Sequence, residues 1–255
     1  MSLTFKLALS PLLVAQVLYA RARLPRLGEP AGERRGVFGS RRTGTSLRLL
    51  IAGDSSAAGV GVADQRQALA RQLAQRLAQG IAAQVKWRLV AQSGLTTAQI
   101  GPFLQDQLLD AAHGPGPTAA DLAVVVSGVN DVIDQIPSHR AVAARETLAN
   151  QLRNGIGVQH VVFAPLPPVH HFPGLPQPLR WVAGADAKRH NTALRRWCAS
   201  RADVSCVDME MPLNRGVMAR DGFHPGEPVY RYCAGAIAQH ITRFVWPLMD
   251  PHRGR

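Results

Sequence analysis

A serine that follows an apolar run is the first candidate for chemistry in this chain of 255 residues. Residues 49–52 (LLIA) lead directly into residues 53–56 (GDSS). An apolar run that stops at glycine and aspartate is typical of a buried strand entering a turn. Because ligands bind at the carboxyl ends of parallel strands, Ser55 is a candidate nucleophile, with its neighbour Ser56 as the alternative. A serine nucleophile also needs a base, an orienting acid and hydrogen-bond donors for an oxyanion.

The segment DGFHP, residues 221–225, supplies the base and the acid. Histidine titrates near neutral pH, so His224 is predicted to take the serine proton. Asp221 lies three residues earlier, and a turn can bring its carboxylate to one imidazole nitrogen while the other nitrogen faces Ser55. In that arrangement the acid selects the tautomer of the base and stabilises the imidazolium.

Two further segments supply the oxyanion donors. Gly94 lets the backbone approach a ligand closely because it has no side chain. Asn130 carries a neutral amide that can point at a developing negative charge, and losing one such donor typically lowers the rate about 10²–10³-fold. We therefore predict an oxyanion hole formed by the backbone amides of Ser55 and Gly94 and the side-chain amide of Asn130.

These segments occur along the chain in a fixed order: residues 53–56 (GDSS), 93–94 (SG), 128–131 (GVND) and 221–224 (DGFH). Together they resemble the four marker blocks of the SGNH hydrolases, the GDSL-type esterase and lipase superfamily. The resemblance covers roughly residues 47–245.

The resemblance implies a flavodoxin-like, three-layer α/β/α sandwich around a five-stranded parallel sheet. It implies the triad Ser55–His224–Asp221 and the oxyanion hole Ser55, Gly94 and Asn130. It also implies hydrolysis of esters through an acyl-enzyme, with no metal and no cofactor. It assigns no role to the residues before position 47.

Strands that alternate with helices must position these side chains. Apolar runs predict five strands, over residues 46–52, 84–91, 121–127, 160–164 and 204–207. Helical spacing predicts six helices, over residues 2–20, 64–80, 97–112, 139–155, 185–199 and 227–244. Asp64 is the predicted N-cap of the second helix and Gly80 its stop. The alternation predicts a parallel sheet with right-handed crossovers, so the loops at residues 55, 94 and 130 meet at one edge.

The chain divides into an N-terminal part, residues 1–46, and a hydrolase domain, residues 47–255. Residues 7–20 carry no charge and are followed by several arginines. This apolar stretch is shorter than the ~20 residues needed to span a bilayer, and its charge order is the reverse of a signal peptide. We predict a retained helix that docks on the domain or touches a membrane surface, in the cytoplasm or at the inner membrane. A cleaved signal with export is the alternative.

Residues 24–47 are rich in proline, glycine and arginine, and this composition predicts a surface linker. The net charge of +12 is compatible with nucleic acid or anionic membrane as a partner. The arginines are scattered along the predicted helices, however, without a basic run interleaved with aromatics. A solvated basic surface and no nucleic-acid partner are therefore expected.

The three cysteines form no Cys-x-x-Cys pair, so neither a zinc site nor a redox motif is indicated. Their odd number argues against a disulfide framework. We expect buried free thiols at Cys198, Cys206 and Cys233, with a bond between the first two as the alternative in an oxidising compartment.

The predicted loop over residues 165–179 bears on the substrate because long loops often act as specificity elements. Its prolines and apolar side chains predict a stiff apolar wall, which favours a short- to medium-chain acyl ester or an aryl ester. A lysophospholipase or an acyl-thioesterase at a membrane surface is the alternative within the same class. A non-catalytic ligand-binding module of the same fold is the alternative from another class.

Overall fold

The frame of the molecule is a six-stranded sheet with the strand order β1-β3-β2-β4-β5-β6. The computed structural model describes residues 3–40, 44–112, 119–211 and 213–249. Five strands run parallel, as predicted: β2 (Ser46–Gly53), β3 (Gln84–Ala91), β4 (Leu122–Val126), β5 (His160–Phe163) and β6 (Val204–Cys206). Strand β4 in the middle of the sheet is a continuous apolar run because helices cover both faces of a parallel sheet.

The sixth strand, β1 (Arg35–Phe38), corrects the prediction of five strands. It pairs antiparallel with β3, Val37 opposite Lys86, at the edge of the sheet. This strand lies inside the segment predicted to be a surface linker. Four residues that include a glycine and an arginine carry no strand signal. The strand forms because the outer edge of β3 offers unpaired backbone groups, which a neighbouring segment satisfies by hydrogen bonding.

Helices pack on both faces of the sheet, and their bounds are α2 (Ser55–Ala58), α3 (Leu69–Gly80), α4 (Thr97–Ala112), α5 (Val129–Ile133), α6 (Ser138–Ile156), α7 (Leu179–Cys198) and α8 (Glu227–His240). One buried cluster joins the sheet to α3 and α8, through side chains such as Leu73 and Ile237. A second joins the opposite face to α4, α6 and α7, through side chains such as Leu104, Leu148 and Leu194. The three-layer α/β/α sandwich is therefore confirmed.

Helix α3 begins at Leu69, so the prediction that Asp64 caps it is wrong. Asp64 instead closes a turn, because its side chain accepts a hydrogen bond from the Arg66 amide (2.8 Å) and its carbonyl accepts one from the Gln67 amide (2.9 Å). The predicted end of the helix at Gly80 is correct. An aspartate in a turn and an aspartate at an N-cap make the same local hydrogen bonds, so spacing alone does not separate them.

Helix α7 begins at Leu179, six residues before the predicted start at residue 185. The added turn packs against the short 3₁₀ turn Val169–His171. The contact is close, since a Cβ at Gly184 would lie 2.6 Å from the Cβ of His170. The loop predicted from the prolines before residue 179 is observed up to Pro178, with the 3₁₀ turn inside it, and only the start of the helix was placed too late.

At the other end, α8 stops at His240 and continues through the π-helical turn Ile241–Val245 into α9 (Trp246–Met249). The N-terminal helix α1 (Leu3–Arg23) rests on the start of α7. No helix in the described ranges combines the length and the apolar character needed to cross a bilayer. The three cysteines are free, so Cys198 and Cys206 are not joined; Cys198 and Cys233 are buried as expected, whereas Cys206 is only half-buried.

Candidate active site

Ser55 is the first residue of α2 and stands at the carboxyl end of β2, as predicted. The chain turns there at Gly53, whose φ of +152° and close approach to the Val126 carbonyl leave no room for a Cβ. Asp54 then caps α2, since its carboxylate accepts a hydrogen bond from the Ser56 amide at 2.9 Å. The amide of Ser55 has no acceptor within so short a helix, because the first N–H groups of any helix lack intrahelical partners.

His224 and Asp221 meet Ser55 from the loop that precedes α8. His224 Nε2 lies 3.2 Å from Ser55 Oγ, and His224 Nδ1 lies 2.6 Å from Asp221 Oδ2. The other carboxylate oxygen of Asp221 accepts the amides of Phe223 (2.9 Å) and His224 (3.0 Å). The structure therefore brings together Ser55, His224 and Asp221, the predicted nucleophile, base and acid, and one tight turn holds the last two.

Burial raises the pKa of Asp221, but hydrogen bonds from the imidazole and amide of His224 and from the amide of Phe223 lower it more, so the net pKa falls below the ordinary value. The carboxylate is therefore ionised at neutral pH and accepts the Nδ1 proton. The Nε2 lone pair is then directed at Ser55, as a general base requires. The ring of Phe223 packs edge-on against His224 (5.1 Å between centroids) and Phe172 packs on Phe223 (5.2 Å), which holds the imidazole in place.

The predicted oxyanion donors converge on the same edge of the sheet. Gly94, with a φ of +88°, lies in the loop after β3, and a Cβ there would meet nothing within 4 Å. Asn130 in α5 donates a side-chain hydrogen bond to the Leu95 carbonyl at 2.9 Å. Asparagine has two amide hydrogens, and this bond takes one of them. Asn130 lines the same cavity as Ser55 and His224, and its bond to Leu95 links it to the Gly94 loop.

A pair of N-terminal residues, missed by the sequence argument, holds that loop. Glu29 accepts hydrogen bonds from the Ser93 amide (2.8 Å) and hydroxyl (3.0 Å). It also pairs with Arg34 (2.8 Å), whose guanidinium donates to the Ala91 carbonyl. Burial raises the pKa of Glu29, but the bonds from Ser93 and Arg34 lower it more, so its pKa is depressed overall. The sequence offered one indication of such a role: Glu29 and Glu33 are the only acidic residues before residue 47, in a segment rich in arginine.

We expect Glu29→Ala to lower kcat about 10-fold with little change in KM, because a hydrogen bond to a charged group contributes about 1.5–3 kcal/mol and its loss frees the loop that carries Gly94. Glu29→Gln keeps an acceptor and is expected to restore part of the rate. Steady-state kinetics on a soluble ester would measure both. The matched control is Glu33→Ala, which removes an exposed partner of Arg71 (3.2 Å) and leaves the bonds of Glu29 to Ser93 in place. Equal kcat in the two alanine variants would refute the role of Glu29.

Three charged side chains are buried behind Ser55: Asp54, Asp131 and Arg145 are each about 1% exposed. Asp131 accepts the Thr97 amide (2.9 Å) and hydroxyl (2.6 Å). Arg145 Nη2 lies 3.8 Å from Asp131 Oδ2, and neither Nη atom makes a hydrogen bond within the described ranges. The guanidinium thus acts as a buried counter-charge under the segment that carries Asn130.

Burial, with a smaller contribution from the nearby Asp131, raises the pKa of Asp54 to about 7, although the Ser56 amide, His224 and the Gly128 amide oppose the shift. A carboxyl whose folded pKa is raised stabilises the fold fully below its unfolded pKa, and that stabilisation is lost as pH rises through about 7. We expect the unfolding free energy of the wild type to fall between pH 4 and pH 8, relative to Asp54→Asn, by up to about 4 kcal/mol. Urea unfolding of both proteins across this range would test it, and parallel pH profiles would contradict it.

An apolar cavity of about 60 Å³ opens at Ser55. Its mouth carries Ser55, Asn130 and His224. Its walls and floor are formed largely by apolar side chains, including Phe172, Met209, Met211, Met218, Val229, Cys233 and Ile237. Within the described ranges, no group of three or more His, Cys, Asp or Glu side chains is arranged to hold a metal ion.

Comparisons with known proteins agree on one family. The model of the GDSL-like lipase/acylhydrolase family matches residues 51–232. No match was found among curated proteins. Similar solved structures include the family 3 carbohydrate esterase of Clostridium thermocellum, 16% identical with a TM-score of 0.61 over 81% of this chain and 100% of that one. They also include the lipase Lip_vut3 from a goat rumen metagenome, 17% identical with a TM-score of 0.59 over 78% and 98% of the two chains.

A third similar structure is Est24, a carbohydrate acetylesterase from Sinorhizobium meliloti, which is 18% identical with a TM-score of 0.54 over 76% of this chain and 98% of that one. At these identities the structural likeness concerns the fold. The family match is stronger, since it spans most of the chain, including the nucleophile, glycine and asparagine segments and Asp221 and His224. On this match, the chain belongs to the GDSL-like lipase/acylhydrolase family of hydrolases.

Proposed function

We propose that the protein is a serine esterase that hydrolyses carboxylic esters with short to medium acyl groups through an acyl-enzyme on Ser55. The observation that carries this proposal is the hydrogen-bonded series Ser55–His224–Asp221, with distances of 3.2 and 2.6 Å, at the mouth of an apolar cavity. Family membership supports the hydrolysis of esters.

In the proposed reaction, His224 Nε2 takes the Ser55 proton while Ser55 Oγ forms a bond to the ester carbonyl carbon. The carbonyl oxygen becomes an oxyanion that accepts the amides of Ser55 and Gly94 and the side-chain amide of Asn130. The tetrahedral intermediate collapses, His224 gives its proton to the leaving alcohol, and the acyl group stays on Ser55. Water then repeats the sequence from the other side, with His224 as its base, and releases the carboxylic acid.

The size of the cavity points to the acyl chain length. A single water needs about 10–15 Å³ by the same measure, so a cavity of about 60 Å³ holds roughly four to six heavy atoms. Methionine side chains adapt their shape to an apolar guest, and three of them line the cavity. We therefore expect the cavity to accommodate acyl chains of about four to six carbons, and longer chains to project into solvent.

The predicted wall over residues 165–179 contributes only Pro165, Pro167 and Phe172 to this cavity. Its deeper surface belongs to the segment after β6, through Met209 and Met218 among others, and to α8. Acyl specificity in this proposal depends on those two elements more than on the loop that the sequence singled out.

We expect hydrolysis of p-nitrophenyl esters to peak between butanoate and hexanoate in a series from acetate to laurate. Cys233→Leu fills the cavity and is expected to lower kcat/KM for hexanoate at least about 10-fold while sparing acetate, since each methylene contributes about 1–3 kcal/mol to such discrimination. Met218→Ala enlarges it and is expected to shift the optimum to longer chains. The control is Tyr232→Leu, because this side chain lies on the exposed face of the same helix.

The alternatives predict different results. Activity confined to lysophospholipids or acyl-thioesters would assign the same machinery to a neighbouring substrate class. If the folded protein hydrolyses no ester in the series, two explanations remain: an enzyme with a narrow natural substrate range, or a site that binds a ligand without catalysis. Covalent labelling of Ser55 by a fluorophosphonate distinguishes the last two, and a folded protein that is not labelled would overturn the proposal.

A further inference from the structure

Helix α1 presents an apolar face to solvent. Its inward side consists of residues at helical spacing that are partly or fully buried, among them Leu13, Val17 and Ala20. Its outward side is also apolar, and four large side chains on it are about half exposed: Leu12 (46%), Val14 (58%), Leu18 (60%) and Tyr19 (55%). The outer face of a helix in water is normally polar. An uncharged, half-exposed face of this kind marks an interaction surface.

Specific hydrogen bonds hold α1 with that face outward. The Gln16 side chain donates to the Gln177 carbonyl (2.5 Å) and accepts the Leu179 amide (2.9 Å). This two-point contact fixes the rotation of α1 about its axis, because Gln16 lies on the inward side. Trp181, two residues beyond Leu179, is itself 50% exposed. The aromatic side chain therefore adds to the apolar surface near the point where α1 docks.

The positive charge of the N-terminal segment favours an anionic partner for this apolar face. Residues 1–28 contain Lys6 and three arginines but no aspartate or glutamate. The guanidinium of Arg23 lies 5.5 Å from the ring centroid of Tyr19, at the end of the apolar face. A tyrosine next to arginine at the border of an apolar face is the arrangement of helices that lie in a membrane interface, with the ring at headgroup level and the cation at phosphate. The net charge of +12 adds long-range attraction to anionic lipid.

We propose that α1 binds the surface of an anionic phospholipid bilayer, with the side chains of Leu12, Val14, Leu18 and Tyr19 among the acyl chains and Arg23 at the phosphates. The chain from Pro165 to Gln177 connects the cavity at Ser55 with the docking point of α1. The membrane contact thus lies one loop away from the cavity. This inference does not depend on the proposed esterase activity, since lipid binding is measured without turnover.

The test is co-sedimentation of the full chain with vesicles of phosphatidylglycerol mixed into phosphatidylcholine and with vesicles of phosphatidylcholine alone. We expect the wild type to bind the anionic vesicles more tightly, and to lose affinity as salt is added. The double variant Leu12→Gln/Leu18→Gln is expected to bind at least about 10-fold more weakly, since it removes two inserted side chains. The matched control is Phe244→Gln/Leu248→Gln, which removes two large exposed apolar side chains from the C-terminal helical segment and leaves α1 unchanged.

Arg23→Gln leaves the apolar face intact and is expected to weaken binding to anionic vesicles about 5-fold, with no effect on neutral ones. This variant keeps the test decisive if the double variant does not fold, as judged by circular dichroism. A wild type that stays in the supernatant with anionic vesicles would overturn the proposal, as would equal losses in the α1 variant and its control. Light scattering that shows a wild-type dimer, a monomeric α1 variant and no vesicle binding would identify a second copy of the chain as the occupant instead.

Discussion

Ser55→Ala is expected to lower kcat for every ester substrate by at least about 10⁴-fold while the protein stays folded. The hydroxyl lies 3.2 Å from His224 Nε2 at the mouth of the cavity, and it is the atom that forms the acyl-enzyme bond in the proposed reaction. The activity that remains without the hydroxyl is direct attack of water on the ester, assisted by the oxyanion donors alone. Active-site labelling and burst kinetics would measure the loss of the covalent step directly.

The same result is expected for His224→Ala and for the double variant with Ser55→Ala, because residues that act as one unit are not additive. Asp221→Ala is expected to cost less, since the acid orients the base and does not itself take the proton. Ser56→Ala is the matched control, because Ser56 contacts the Asp54 side chain through its backbone amide, which alanine retains. Full activity in Ser55→Ala together with loss in Ser56→Ala would transfer the nucleophile to the neighbouring serine.

Arg145→Met is expected to destabilise the fold by about 3–5 kcal/mol, because it leaves buried carboxylates without their counter-charge. The guanidinium is 1% exposed and lies 3.8 Å from the carboxylate of Asp131, which is equally buried. Asp54 lies in the same buried region and would also lose compensation. Urea unfolding at neutral pH would measure the change in free energy. The kcat for ester hydrolysis is expected to fall in parallel, because Asn130 lies in the segment that Arg145 supports.

Adding Asp131→Asn to Arg145→Met is expected to recover much of the loss, since asparagine keeps an acceptor for the Thr97 amide without a buried charge. The matched control is Arg153→Met on the same helix. Arg153 pairs with Asp203 at 2.7 Å but is 43% exposed, and an exposed pair contributes only about 0–1 kcal/mol. Equal destabilisation by the two arginine variants would contradict the assignment of Arg145 as the buried counter-charge.

Much of the fold could be predicted from local patterns. Strand β4 is a run of apolar residues buried on both faces, and such runs need no knowledge of the neighbouring strands. Helix α4 has its predicted bounds, because the spacing of its apolar residues and its first and last residues are all local features of the sequence. The segment around Asp221 and His224 was also visible, because the acid and the base are three residues apart and share one turn.

The sequence by itself therefore determined the α/β alternation, the parallel strands and the four segments that carry the candidate catalytic residues. Tertiary structure alone decided that Glu29 holds the Gly94 loop, across 64 residues of chain, and that Gln16 clamps α1 onto α7, across 163. It also decided that β1 extends the sheet and that Arg145 lies buried beneath the site. These features depend on which surfaces meet after folding. A local pattern records how one segment buries its own apolar face, and it holds no information about the distant partner of a polar side chain.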